Sequence, residues 1–182
     1  MNDNLDKQLC EKFPKLFKDR HASMQETCMC WGFECGDGWF NILNALCGNI
    51  QHHIDWKRKQ RAKALVYNRV LKRALAGDIA GLEWHHTWKG ALQHHIDKRV
   101  NESIEEAEYM EVTETCHQVV VEQVKEKFGS LRFYYTGGDD AIDGMVRMAE
   151  SMSSVTCEEC GAPGTTAGKG WLKTVCKDHA RP

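Results

Sequence analysis

Four potential metal ligands near the C-terminus constrain this chain more than any other feature. Cys157 and Cys160 form a C-x-x-C pair, Cys176 and His179 form a C-x-x-H pair, and fifteen residues separate the two pairs. This spacing is typical of a tetrahedral Cys3His site for Zn²⁺. Four protein ligands leave no coordination position for water. The sequence therefore predicts a structural zinc ion and assigns no catalytic residue.

The C-terminal segment carries too few apolar side chains to form a core of its own. Structural zinc supplies roughly 10–16 kcal/mol of apparent folding free energy to peptide-sized modules, which can replace such a core. Gly161, directly after Cys160, allows the backbone to turn toward the sulfur. We therefore predict a core domain over residues 1–153 and a zinc-ribbon module over residues 154–182.

Composition and charge exclude several classes of protein. The chain is 42% hydrophobic and 27% charged with a net charge of −2, which is typical of an ordinary globular protein. The polar N-terminal stretch is unlike a signal peptide, and no apolar run approaches the roughly 20 residues that span a bilayer. Nine cysteines, an odd number, fit reduced thiols and metal binding in a cytoplasm better than disulfides.

Hydrophobic periodicity predicts an α+β fold in which helices pack on a small antiparallel sheet. A β-hairpin is expected over residues 116–136, where Phe128-Gly129-Ser130 signals the turn. Apolar residues at helical spacing predict four helices. The first is a short helix within residues 4–18 that Pro14 interrupts, and the second is one long or kinked helix from the N-cap Asp37 to Gly77. The third covers about residues 88–108, and the last is capped by Asp139 or Asp140.

A second group of cysteines is a further candidate for metal binding. Cys28, Cys30 and Cys35 form C-x-C-x4-C, and Cys47 or His21 could supply a fourth ligand. The same thiols could instead pack as small apolar side chains beside the aromatic residues nearby. The irregular spacing leaves both interpretations open.

Two oppositely charged stretches and an aromatic group are the candidates for partner binding. Residues 57–73 contain eight Lys or Arg and no acid, whereas residues 101–116 contain six Glu and no base. The two stretches could lie against each other as solvated faces, or the basic one could dock a polyanion. The aromatic residues could stack a base or anchor a protein. The predicted contact residues are Trp84, His86, Trp88, Arg58, Arg61, Arg69 and Arg73.

Three segments of the chain form a recognisable set: CMCWGFECGDGWFNILNALC (28–47), VEQVKEKFGSLRFYYTGGD (121–139), and CEECGAPG with KGWLKTVCKDH inside 157–179. In these segments the chain resembles a group of small hypothetical proteins of tailed bacteriophages and prophages. The resemblance covers about a third of the chain and leaves residues 57–115 unmatched. It implies a non-virion phage product in a bacterial host cytoplasm, and it carries over no catalytic residue.

No complete catalytic set is present, so the leading hypothesis is a non-enzymatic phage accessory protein. It would bind and block a host macromolecule or sequester a small nucleotide-like ligand, as in counter-defence or host takeover. The alternatives are a nucleic-acid-binding zinc-ribbon regulator and a hydrolase whose metal is held by clustered histidines. Homo-oligomerisation is compatible with the amphipathic helices, although no heptad run requires it.

Overall fold

The computed structural model describes residues 1–168 and 170–180 and shows a mixture of helices and small sheets, which confirms the α+β class. Lys169 lies outside the described residues, as do Arg181 and Pro182 at the end of the predicted ribbon module. The helices are α1 (Asp3–Lys12), α2 (Phe40–Leu75), α3 (Ala80–His86), α4 (Gln93–Glu106) and α5 (Asp140–Ser153). The strands are β1 (Phe33–Glu34), β2 (His117–Lys127), β3 (Ser130–Gly138), β4 (Thr165–Ala167) and β5 (Lys173–Val175).

The larger sheet has β2 as its central strand. β2 pairs antiparallel with β3, and β1 pairs parallel with its other edge, with Phe33 opposite Val124. Phe128 and Gly129 have φ angles of 55° and 78°, as a tight two-residue turn between twisted strands requires. The hairpin predicted over residues 116–136 is confirmed. Strand β1 is only two residues long, too short for an alternating pattern to reveal it.

Helix α5 covers this sheet with one apolar face. Ile142, Val146 and Ala149 are buried, and their spacing places them on one side of the helix. Asp139 is the N-cap, and its carboxylate accepts a hydrogen bond from the backbone N–H of Ile142 at 3.3 Å. The predicted cap and the predicted inward face are therefore both present.

Helix α2 begins later than the sequence suggests. Asp37 was expected to be its N-cap, but a 3₁₀ turn over Asp37–Trp39 intervenes and α2 begins at Phe40. The Asp37 carboxylate instead accepts hydrogen bonds from the backbone N–H and side-chain amide of Asn2, each at 2.7 Å. This tertiary contact is favoured over local capping of α2, because both oxygens of the Asp37 carboxylate accept a hydrogen bond from Asn2.

The chain forms two compact units, which are described separately. The first unit combines Met1–Asp55 with Cys116–Pro182, and the second comprises Trp56–Thr115. Helix α2 passes from one to the other without a break, and the apolar pattern that pauses at residues 55–60 marks this passage. The ribbon segment predicted over residues 154–182 belongs to the first of these units.

Each unit has its own buried core. In the first unit, Trp39, Leu43 and Ile50 pack with Val124 and Leu131 of the sheet. In the second unit, the core is smaller and consists of Leu71, Ala74, Leu82, Ile96 and Val100. None of the nine cysteines, all of which lie within the described residues, forms a disulfide. No helix within residues 1–168 and 170–180 has the length and apolar character needed to cross a bilayer.

A partly buried ion pair ties α1 to the segment that leads into β1. Arg20 donates to both oxygens of Asp6, from Nε at 3.1 Å and from Nη2 at 2.7 Å, and its Nη1 donates to the carbonyl of Cys30. Burial raises the pKa of Asp6, but the hydrogen bonds and charge of Arg20 outweigh it and hold that pKa below its ordinary value of 3.8.

We expect Asp6→Asn to lower the free energy of unfolding by about 2 kcal/mol at pH 7, because it removes one partner of a charged, bidentate pair. The folded-state pKa of Asp6 is depressed, so the wild-type advantage is present above the unfolded pKa and is lost as pH falls through the folded pKa. Urea unfolding from pH 7 down to pH 2 should show the two curves converging below about pH 4. Glu11→Gln, in the exposed pair with Lys7, is the matched control and should change little. A difference that is independent of pH would contradict this assignment.

Candidate functional site

The four predicted ligands in the C-terminal segment come together in the structure. Cys157 Sγ lies 3.6 Å from His179 Nδ1, Cys160 Sγ lies 3.7 Å from Cys176 Sγ, and Cys176 Sγ lies 3.2 Å from His179 Nδ1. A tetrahedral ion with metal–sulfur bonds of about 2.3 Å and metal–nitrogen bonds of about 2.05 Å places its ligand atoms about 3.6–3.8 Å apart. The four residues therefore lie close enough to hold a metal ion, and their spacing is compatible with zinc.

Two backbone turns and a small hairpin position these ligands. Cys157 and Cys160 lie in a turn after α5, closed by the N–H of Gly161 donating to the carbonyl of Cys157 at 2.8 Å. Strands β4 and β5 pair antiparallel and return the chain so that Cys176 follows β5 directly. Gly161 has a φ angle of 76°, a conformation that a residue with a Cβ rarely adopts.

Backbone amides around the sulfur atoms favour the thiolate form. Burial raises the pKa of Cys157, but N–H groups of Cys176, Cys160 and Glu159 outweigh it and lower the pKa to about 6. The amide of Ala162 lowers the pKa of Cys160, but the adjacent sulfurs of Cys157 and Cys176 exceed that effect and raise it. Three adjacent thiolates repel one another, and the positive charge of a divalent ion would offset that repulsion.

The ligand-bearing turn packs directly on two glycines that precede α2. A Cβ on Gly38 would overlap the carbonyl oxygen of Cys157, and one on Gly36 would overlap the carbonyl oxygen of Glu158. The N–H of Gly38 donates to the Glu158 carbonyl at 2.8 Å, and the N–H of Gly36 donates to its carboxylate at 2.9 Å. The indole of Trp39 also donates to the carbonyl of Thr156 at 2.8 Å. Sequence reasoning missed this contact, and the Gly-Asp-Gly triplet was its only signal.

The second cysteine group is not brought together. Within residues 1–168 and 170–180, potential metal ligands cluster in two groups of three or more, and Cys28, Cys30 and Cys35 form neither of them. Cys28 and Cys30 lie in the 3₁₀ turn Cys28–Trp31, whereas Cys35 is buried in the first core, where burial raises its pKa to about 12. Cys35 therefore packs as a small apolar side chain, the alternative that the sequence left open.

The second of those two groups consists of His53, Cys116 and Asp139. One potential ligand atom from each residue lies within 4.8 Å of the others, and His53 Nε2 is 3.0 and 2.9 Å from the two oxygens of Asp139. Sequence reasoning missed this group. No local pattern links them because 86 positions separate His53 from Asp139.

The second unit contains an open cavity of about 800 Å³. Its wall combines cations and aromatic rings with several glutamates. The Arg99 guanidinium lies over the Trp88 ring, 5.4 Å from its centroid, and the rings of Tyr67 and His85 lie 5.3 Å apart. The charged, imidazole and aromatic side chains of this wall are Lys63, Tyr67, His85, His86, Trp88, Arg99, Glu106, Glu108, Tyr109 and Glu111.

Two imidazoles in this wall are held in the neutral form. Burial lowers the pKa of His85, and the nearby charge of Lys63 lowers it further. Burial is also the main reason that the pKa of His86 is lowered, with His85 and Arg99 adding to the effect. His86 Nε2 lies 3.0 Å from the hydroxyl of Ser103, which orients the ring. Neutral imidazoles can donate and accept hydrogen bonds at pH 7.

Only part of the predicted contact set lines this cavity. His86 and Trp88 do, whereas Trp84 is 73% exposed and is absent from the lining. The four predicted arginines also lie elsewhere: Arg58, Arg61, Arg69 and Arg73 are not lining residues.

The acidic stretch runs along the basic half of α2. Arg61 donates to the carbonyl of Thr113, and Asn68 exchanges two hydrogen bonds with the backbone of Met110, each at 2.8 Å. Arg73 pairs with Asp78. These contacts place residues 110–113 against the basic half of α2.

Comparisons with models of protein families, with curated proteins and with solved structures find no match. The resemblance to tailed-phage proteins therefore stays a prediction.

We expect Gly38→Ala to reduce the free energy of unfolding by about 1–3 kcal/mol, because the added methyl displaces the Cys157–Gly161 turn. Chemical denaturation measures the loss, and hydrogen exchange of the amides at 157–161 should show where it falls. Gly144→Ala in α5 is the control: its Cβ meets nothing within 4 Å, so it should be neutral or stabilising. Equal effects of the two substitutions would exclude a steric contact at Gly38.

Proposed function

We propose that this chain is a non-enzymatic binding protein that takes a small, nucleotide-like aromatic anion in its second unit and uses Zn²⁺ only for structure. The observation that supports binding of a small ligand is the cavity in the second unit. Its volume of about 800 Å³ falls within the range of roughly 300–1,000 Å³ that is usual for small-molecule sites.

The chemistry of the wall favours a flat ring bearing an anionic group. Tyr67, Trp88 and Tyr109 offer ring faces on which a base stacks. Lys63 and Arg99 supply two positive charges to a phosphate, and stacking on Trp88 already orders the Arg99 guanidinium, which lowers the entropy cost of binding.

The remaining polar groups of the wall would form hydrogen bonds with the uncharged edges of the ligand. Neutral His85 and His86 can pair with donors or acceptors on a base. Glu106, Glu108 and Glu111 accept hydrogen bonds from amino or hydroxyl groups, and they repel ligands with a large negative charge. This combination supports a mononucleotide-like molecule over a long polyanion.

Zinc in the Cys157, Cys160, Cys176 and His179 site is supported by the donor set and by its tetrahedral spacing. All four positions of the ion would be filled by protein. The ion would thus hold β4 and β5 in place and perform no chemistry.

The resemblance to phage proteins is the only support for a cytoplasmic role in a bacterial host. In that role the chain would sequester a signalling molecule of the host. The cavity favours sequestering a small ligand over blocking a host macromolecule. Nucleic-acid binding is less well supported, because residues 110–113 lie against the basic half of α2. A histidine-clustered hydrolase is also less well supported, because each group of potential ligands among the described residues contains one histidine.

Removal of the ion should unfold the ribbon segment and destabilise the first unit. We expect chelation with a strong chelator, or Cys176→Ser, to release zinc, and to lower the thermal midpoint by more than about 5 °C through the lost folding free energy. Inductively coupled plasma mass spectrometry and thermal unfolding measure the two effects. Cys10→Ser, which changes a thiol outside both groups of potential ligands, is the control. A wild-type chain without stoichiometric metal would contradict the zinc assignment.

Ligand binding should depend on the cavity wall and not on exposed aromatic residues in general. Against a panel of purine and pyrimidine mononucleotides, we expect isothermal calorimetry to give a specific binder. Trp88→Ala or Lys63→Ala should weaken its affinity at least about tenfold, from the loss of stacking or of a charged hydrogen bond. Trp84→Ala and Lys59→Ala, whose side chains do not line the cavity, are the matched controls. Absence of binding across the panel, or equal losses in Trp84→Ala and Trp88→Ala, would overturn the proposal.

A further inference from the structure

We propose that His53, Cys116 and Asp139 form a second metal site, which takes a divalent transition-metal ion such as Zn²⁺ and leaves one coordination position open. This inference goes beyond the proposed function and does not depend on it, since these residues belong to the first unit and the ligand cavity to the second.

Three separate elements of the first unit bring the ligands together. His53 lies on α2, Cys116 directly precedes β2, and Asp139 is the N-cap of α5. Their donor atoms lie within 4.8 Å of one another. These elements are anchored in the core by the neighbouring buried residues Ile54, Val119 and Ile142, so the ligands are held on a rigid scaffold.

The distance between His53 and Asp139 requires only a small adjustment to accept an ion. His53 Nε2 is now 2.9 and 3.0 Å from the Asp139 oxygens, which is hydrogen-bond distance. Nitrogen and oxygen ligands of one tetrahedral Zn²⁺ lie about 3.3 Å apart. A side-chain movement of about 0.4 Å by His53 and Asp139 would therefore open the space between their donor atoms.

The donor set is one that zinc prefers. A thiolate, an imidazole and a carboxylate are all common zinc ligands, and mixed sets of three protein ligands with a free position are typical of reactive zinc sites. A divalent ion would balance the charges of one thiolate and one carboxylate.

Solvent can reach the open position. Cys116 is buried, whereas the side chains of His53 and Asp139 are 16% and 30% exposed. An ion could enter from that side, and water could complete its coordination. In the C-terminal site, by contrast, a fourth protein ligand takes the position that water would occupy.

Counting bound metal per chain tests this site. The full chain is equilibrated with excess Zn²⁺, desalted and weighed by native mass spectrometry. We expect Cys116→Ser and Asp139→Asn each to hold one ion fewer per chain than the wild type. Asparagine caps helices as well as aspartate does, so Asp139→Asn removes an anionic ligand while retaining the α5 cap. Circular dichroism confirms that each variant is folded.

Neighbouring side chains provide the matched controls. His52→Gln and Asp140→Asn change exposed residues next to two of the ligands and should retain the wild-type metal count. In Co²⁺-loaded protein, Cys116→Ser should also remove part of the thiolate-to-metal charge-transfer absorption. The proposal is overturned if Cys116→Ser and Asp139→Asn hold as many ions as the wild type, or if His52→Gln loses an ion as they do. Neither result bears on nucleotide binding, which is measured separately.

Discussion

The close contact between the Cys157–Gly161 turn and the Gly36–Asp37–Gly38 segment is the interaction on which the first unit depends. It joins backbone to backbone, with hydrogen bonds from both glycines to Glu158 and no room for a Cβ on either. A second contact lies at the β2–β3 turn, where the hydroxyl of Thr174 donates to the carbonyl of Gly129. Because the ribbon segment touches the core at both places, free energy gained by an ion bound at Cys157, Cys160, Cys176 and His179 would be transmitted to the whole unit.

Helix α2 explains how one chain supports two cores. Its first half carries Leu43, Ile50 and Ile54 into the larger core, and its second half carries Leu71 and Ala74 into the smaller one. Between these halves Trp56, Leu65 and Val66 are exposed, because neither core covers them. The two candidate activities divide in the same way: both groups of potential metal ligands lie in the first unit, and the cavity lies in the second.

The two ligand groups of the first unit differ in what they would do with an ion. The C-terminal group offers four donors and would close the coordination sphere, which suits a structural role. The group of His53, Cys116 and Asp139 offers three donors and some access to solvent, which suits exchange or reactivity. The same residue types therefore predict different behaviour, and ligand number and exposure decide between them.

The sequence by itself determined the features that depend on neighbours along the chain. The two ligand pairs, the Phe128–Gly129 turn and the Asp139 cap are each specified within a few residues, so spacing and local conformational preference suffice to predict them. Tertiary structure alone decided that Asp37 binds Asn2 instead of capping α2, that Cys35 packs in the core, and that His53 meets Cys116 and Asp139. These outcomes depend on which faces of distant elements pack together. Local periodicity shows that a face is apolar, but it does not show which partner that face will meet.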